Sequence, residues 1–268
     1  MNQLYDVVVI GASDEGISFC EQLLKKTVGV KVALVSRTFN KPINIEGLTK
    51  ITGEVIFSAY NCGMIGLTLA DRSQVFGVSI VIAVGTKPVR STLKNPNIKY
   101  NLADLKASKS APAVVVGNDN LAVSYALTMS KKFKYVYLCS NTVDLECDSK
   151  YLKKLENVAN IVHLPNCSVI SCKNDKDGKL SEVQLDTYSS VRCAALVMSL
   201  GRTPDSCGLS KRMIETDADG YIITKKFNVT TVVPNIYAIG TCTKNSTTRL
   251  LSVINHLIET RKFKHKEE

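Results

Sequence analysis

The stretch that decides the fold runs from Tyr5 to Gly16 and reads YDVVVIGASDEG. Its first half, Tyr5 to Ile10, is apolar but for Asp6, and such a run ending in glycine reads as a strand entering a tight turn. Gly11 to Gly16 make the turn, and Ile17, Phe19, Cys20, Leu23 and Leu24 follow on one face of a helix. Lys31 to Ser36, KVALVS, is a second strand that closes a strand, helix, strand unit. Neither strand alternates polar with apolar residues, which is the pattern of parallel strands covered by helices on both faces. The same grammar returns as AVVV at Ala113 to Val116, GNDNLA at Gly117 to Ala122, a helix to about Phe133 and a strand from Tyr135 to Cys139. Two such openings in one chain are far more specific than one.

Length and composition agree with two modest α/β domains. A chain of 268 residues fits about two units. Its 45% hydrophobic and 22% charged residues exclude disordered, collagen-like and low-complexity classes. Lys and Arg number 34 against 24 Asp and Glu, a basic balance of +10 that favours acidic partners and says nothing of fold. The nine cysteines, at 20, 62, 139, 147, 167, 172, 193, 207 and 242, are odd in number and scattered, several inside apolar runs. That usage suits free thiols in a reducing compartment, so a cytoplasmic location is expected. The amino terminus shows no leader pattern, and no run approaches the roughly 20 apolar residues that span a bilayer, so no membrane partner is expected. The triplets at Asn166, Asn228 and Asn245 that match a glycosylation acceptor carry no weight in such a setting. Histidines stand only at 163, 256 and 265, so no metal site is expected. No G-x-S-x-G elbow, P-loop or H-E-x-x-H motif is present, and no catalytic residue is legible.

Between the two openings, Ile51 to Val84 reads as short strands and turns ending in VSIVIAVGTKP. A second β-rich stretch ends in AALVMSLGRTP, and DADGYIIT, PNIYAIG and a helix with Leu250, Leu251, Ile254, Leu257 and Ile258 on one face complete the chain. The ordered blocks IVIAVGTKP, VVVGNDNLAV, LVMSLGRTPD, DGYI and NIYAIGT resemble the two-dinucleotide-domain flavoprotein disulfide reductases, the family of thioredoxin and glutathione reductases. The resemblance covers essentially the whole chain. It implies two Rossmann-like, FAD/NAD(P)-binding α/β domains, the first discontinuous and the second inserted into it. Residues 1–106 and 202–268 would form the flavin-type domain and 107–201 the nucleotide-type domain, with crossings near Leu105 to Ser110 and Gly201 to Pro204.

In a G-x-G-x-x-G turn the first glycine makes the bend, the second admits the pyrophosphate and the third lets helix and strand pack closely. Here Gly11 and Gly16 are kept, and Ser13 holds the position of close approach. Asp14 and Glu15 bring two carboxylates to the helix start and are read as blockers, expected within hydrogen-bond reach of the N–H groups around Gly16. Ser36 stands where an acidic residue would accept from ribose hydroxyls. The resemblance further implies a helical insert, for which Thr38 to Lys50 is too short, and an acidic residue where Gly240 is followed by Thr241. With Gly85, these residues are the flavin-side candidates. In the second opening Gly117 and Ala122 are kept, and Asp119 places an acidic blocker at the close-approach position. Cys139, Ser140 and Asn141 offer no cation where relatives that take NADP carry arginines, and the family's redox cysteine pair has no C-x-x-C counterpart.

These losses lead to the expectation of a non-catalytic protein without cofactor, serving as a binding or structural component. The alternative is a FAD/NAD(P)H-dependent oxidoreductase with altered loops. For the first reading the expected partner is an acidic macromolecule, either an acidic protein or an RNA backbone met through its phosphates, with Arg261, Lys262, Lys264 and Lys266 as contact candidates. A homodimer is compatible with both readings.

Overall fold

The structure, a computed structural model, describes residues 3–103, 105–205, 207–230, 232–244 and 250–266; the Asn245 triplet lies outside the described residues. The chain divides into two compact units, Met1–Lys87 with Thr203–Glu268, and Pro88–Arg202.

In the first unit the strand Leu4–Ile10 lies between Val32–Ser36 and Gln74–Ile82 and is parallel to both. Leu48–Thr52 extends the parallel sheet on one side and Ile236–Ala238 pairs parallel with Gln74–Ile82. Val55–Asn61 and Met64–Leu69 add an antiparallel meander, giving seven strands. Alternate residues of the central strand serve two cores, because successive side chains leave a strand on opposite faces. Val7 and Val9 meet Phe19, Cys20 and Leu23 of the helix Asp14–Lys26 and Ile254, Leu257 and Ile258 of the helix Leu250–Arg261. Val8 and Ile10 meet Ile65, Leu67 and Ile214 on the other face. Phe19 and Leu23 are fully buried, each worth about 1.5–3 kcal/mol of apolar burial.

The second unit is a five-stranded parallel sheet in the order Ile161–Leu164, Val136–Cys139, Ala113–Val116, Ala195–Met198, Ile98–Lys99. The helix Asn120–Ser130 packs Ala122, Val123, Ala126 and Met129 on it, and a three-stranded antiparallel sheet follows from Val169. The first crossing falls at Lys87 and Pro88 rather than near Leu105 to Ser110, so residues 88–106 belong to the second unit and not the first. The reason is the edge strand Ile98–Lys99, which pairs with Leu196 and Val197, while Leu93, Ile98 and Tyr100 join the core behind it.

In each unit the chain leaves the central strand, turns through glycine and enters a helix at the carboxyl edge of the sheet. The strand order reverses direction there, and that geometry opens a crevice in doubly wound sheets.

Candidate functional site

The turn at Gly11 is built by close approach. Gly11 holds a φ of +107°, and a Cβ on it would lie 2.6 Å from the Ala83 carbonyl oxygen. A Cβ on Gly16 would lie 2.3 Å from the Gly11 carbonyl oxygen, so both glycines are required for the helix to seat on the strand. Ser13 is the helix N-cap, and its Oγ accepts from the Gly16 N–H at 3.1 Å.

The two carboxylates stand elsewhere than expected. Asp14 points into solvent and pairs with Lys41, Nζ to Oδ1, at 2.7 Å. Glu15 lies over Gly240, its carboxyl carbon 3.5 Å from where a Cβ of that glycine would be. Neither accepts from the N–H groups at the helix start, where the serine already serves as the cap. The reading of Asp14 and Glu15 as substitutes for a bound phosphate is therefore corrected. The helix start is flanked by two cavities. One of about 220 Å³ is lined by Ala12, Ser13, Asp14, Ile17, Asn40, Lys41 and Ile43. The other, of about 490 Å³, is lined by residues that include Glu15, Ser18, Asn228, Gly240 and Thr241.

Gly85 and Gly240 hold φ of +65° and +74°, and a Cβ on Gly85 would meet the Thr241 hydroxyl at 3.1 Å. The Ser36 hydroxyl donates to the Thr38 carbonyl at 2.8 Å, which leaves only its lone pairs for another partner. The neighbouring Arg37 reaches Asp205 at 2.7 Å and Glu54 at 3.3 Å. Burial of Asp205 disfavours its charge, but the Cys207 N–H, Arg37 and Lys87 together outweigh that and hold the carboxyl below its usual range. A folded-state pKa below the unfolded one gives stability that is present above the ordinary carboxylate range and is lost as pH falls through the folded value. Arg37→Ala is thus expected to unfold at lower denaturant than the parent at neutral pH, with the gap closing near about pH 3. Denaturation curves at the two pH values check this.

In the second unit Gly117 has φ +145°, and a Cβ on it would lie 2.4 Å from the Ser199 carbonyl oxygen and 2.8 Å from Ala122 Cβ. Asp119 caps the helix Asn120–Ser130, its Oδ1 accepting from the Ala122 N–H at 2.8 Å. A cavity of about 410 Å³ opens beside it, with Ser91, Asn118, Asn141, Ser168 and Ser199 in its wall. Ser140 does not face a ligand; its hydroxyl meets His163 Nε2 at 2.7 Å and the Thr142 carbonyl at 2.8 Å.

Neither Lys41 nor Asn228 reads as a site residue in the sequence, and each lines one of the two cavities. Lys41 comes from an irregular loop with no motif around it. Asn228 sits at φ +58° with its amide donating to the Ala238 carbonyl at 2.7 Å, a placement that only the packed chain shows. The basic residues near the carboxyl terminus divide. Arg261 is turned inward, its guanidinium donating to Ser79 Oγ at 2.9 Å and to the Val78 carbonyl, so it is corrected as a free contact residue. Lys262, Lys264 and Lys266 are exposed, and Lys264–His265 pairs with Thr27–Val28.

The nine thiols are free. Burial raises Cys20 and Cys193 to about 12 and Cys242 to about 11, and pushes Cys139 and Cys207 up further. The thiolate is the reactive form, so these five are inert at neutral pH. Among the described residues no cluster of His, Cys, Asp and Glu is placed to hold a metal, and no helix is long and apolar enough to cross a membrane.

Residues 44–256 match the family model of pyridine nucleotide-disulphide oxidoreductases. The chain is similar to the thioredoxin reductase of Borreliella burgdorferi, 26% identical over 202 residues that cover 70% of this chain and 60% of that protein. It is also similar to ferredoxin--NADP reductase 1 of Oceanobacillus iheyensis, 22% identical over 89% of this chain and 82% of that one. Among solved structures, Lactococcus lactis thioredoxin reductase superposes with a TM-score of 0.78 at 18% identity, over 96% of this chain and 97% of that one. These matches overturn the expectation of a non-catalytic protein that has lost its cofactor sites, since the family and the relatives are oxidoreductases by name. The expectation weighed single substitutions one by one, and in the first unit neither acidic side chain caps the helix end.

Proposed function

Because the chain belongs to the pyridine nucleotide-disulphide oxidoreductases, we propose that it is a FAD- and NAD(P)H-dependent oxidoreductase of the thioredoxin-reductase-like type. The first unit would hold the flavin dinucleotide and the second the pyridine nucleotide. The observation that carries this reading is the helix start at Gly16, which is flanked by two cavities and whose N–H groups donate to neither Asp14 nor Glu15 among the described residues.

The residues of the first unit fit a dinucleotide phosphate in kind. Gly11 supplies the bend and Gly16 the close helix seat, so the N–H groups of the first turn point at the crevice, where they favour an anion. Lys41 lines the smaller cavity and supplies a cation beside that turn, its charge now shared with Asp14. Gly240 and Thr241 line the larger cavity. In the second unit, Gly117 and Ala122 let strand and helix approach, and the hydroxyls of Ser168 and Ser199 with the Asn141 amide can hydrogen-bond a nucleoside. Asp119 stands against the phosphate there, its carboxylate already on the helix end.

A bound flavin would supply the chemistry of hydride acceptance and onward electron transfer. The chain's own thiols are poorly suited to carry the electrons further, because no two cysteines stand at C-x-x-C spacing and burial holds five of them protonated. One relative is named a ferredoxin--NADP reductase, and a one-electron carrier or small external acceptor suits this chain as well. A reducing, cytoplasmic setting for the nine free thiols is part of the same proposal. The test is anaerobic. Protein loaded with FAD and given NADH or NADPH should lose the visible flavin band, and a one-electron acceptor should restore it even after the accessible thiols are alkylated.

A further inference from the structure

The larger cavity at the flavin-side turn has an unusual lining for a phosphate ligand. Asp14 and Glu15 line it from the first helical turn and Ser18 from the next, with Asn228, Gly240 and Thr241 opposite, and no lysine or arginine takes part among the described residues. Glu15 forms no hydrogen bond or ion pair among the described residues, whereas Asp14 beside it is paired with Lys41. The side chain is exposed and lies over the open face of Gly240, its Cδ, Cγ and Cβ 3.5, 3.6 and 3.8 Å from where a Cβ of that glycine would be. Gly240 itself holds a φ of +74°, a left-handed conformation that favours glycine.

An unpaired carboxylate without a neighbouring cation repels phosphate and accepts from hydroxyl groups. It is the group that reads a sugar or sugar alcohol, as an acidic residue at the end of a strand reads ribose. The hydroxyls of Ser18 and Thr241 add donors and acceptors to the same wall. The phosphates are left to the other side of the helix start, where Lys41 lines the smaller cavity.

Building on the functional reading above, we propose that Glu15 is the hydroxyl-binding carboxylate of the flavin dinucleotide, accepting a hydrogen bond from one of its sugar hydroxyls in the cavity beside Gly240 and Thr241. Position 241 carries threonine, and Glu15 brings a carboxylate to the same wall from a segment 226 residues earlier in the chain (241 − 15). The residue read from the sequence as an obstacle to the cofactor is then one of its ligands. The two roles predict opposite signs.

FAD binding is measured by fluorescence titration and calorimetry on the full chain and on Glu15→Gln, with thermal unfolding recorded alongside. Loss of a hydrogen bond to a charged acceptor should weaken FAD by about tenfold or more. Placing the carboxylate on the neighbouring loop, as Thr241→Asp in the Glu15→Gln background, should recover most of that loss. Riboflavin, which has the sugar alcohol without the adenosine, and ADP, which has the ribose without it, assign the hydroxyl: the ligand that shares the loss carries the contact. Lumiflavin, which has neither, should bind the two proteins equally. Unchanged or tighter FAD binding by Glu15→Gln overturns the assignment and leaves the oxidoreductase reading standing. If the parent and both variants fail to bind FAD at millimolar concentration, that reading falls and the assignment falls with it.

Discussion

Gly16→Ala is expected to destabilise the first unit by about 3 kcal/mol, at the upper end of the usual overpacking range. The new Cβ would lie 2.3 Å from the Gly11 carbonyl oxygen and 3.0 Å from the Ala83 side chain. The first of these is backbone in a turn that is itself wedged against Ala83, so neither side can yield cheaply. Alanine would otherwise gain roughly 1 kcal/mol over glycine within a helix, which means that a net loss isolates the contact. Gly178→Ala is the control: its φ is +76° but nothing lies within 4 Å, and only the backbone strain of about 1 kcal/mol remains. Urea unfolding of the two variants beside the parent gives the comparison. Equal losses would mean that the helix Asp14–Lys26 can lift from its strand without cost, and that the turn is not what fixes the crevice.

Asp119→Gly is expected to tighten pyridine nucleotide binding by about 10- to 100-fold. The Asp119 carboxylate sits on the Ala122 N–H at 2.8 Å, where a helix start would otherwise offer its dipole and free N–H groups to a phosphate. Two unit charges of the same sign about 4 Å apart cost up to about 4 kcal/mol at an intermediate effective dielectric, and solvent at the cavity mouth reduces that toward the 1.4 kcal/mol per decade that sets the expected range. The helix loses little, because glycine is nearly as good an N-cap as aspartate. Calorimetry with NADH and NADPH on parent and variant reads the change directly. No gain for either nucleotide would show that the diphosphate does not approach this helix, and the second cavity would need a different ligand.

How much of this was legible in the sequence follows from the range of the forces concerned. The strands Leu4–Ile10, Val32–Ser36 and Ala113–Val116 and their glycine turns are local features, written as apolar runs broken by residues that tolerate the bend. The edge strand Ile98–Lys99 has two residues and no periodicity to read, and it carries the segment from 88 to 106 into the second unit. The family, its two-unit plan and the contribution of both termini to one unit were all visible in the ordered blocks. At the site, sequence showed that Asp14 and Glu15 begin a helix, but not their directions. Asp14 meets Lys41, 27 residues away, and Glu15 lies over Gly240, contacts that no local pattern announces. Arg37 likewise carries no local sign of its role, because its partner Asp205 lies 168 residues away. Losses counted position by position therefore exaggerated the damage to the first site. Ser13, the N-cap, accounts for one N–H of the turn and no more.

The measurement that bears most directly on the oxidoreductase account is the visible spectrum of the FAD-loaded protein under anaerobic conditions as NADH or NADPH is added. The account predicts that FAD stays with the protein through gel filtration and that its long-wavelength band bleaches in proportion to the reduced nucleotide supplied. A protein that retains FAD but keeps the band in the presence of excess NADH and NADPH, or one that retains no FAD at all, would contradict it.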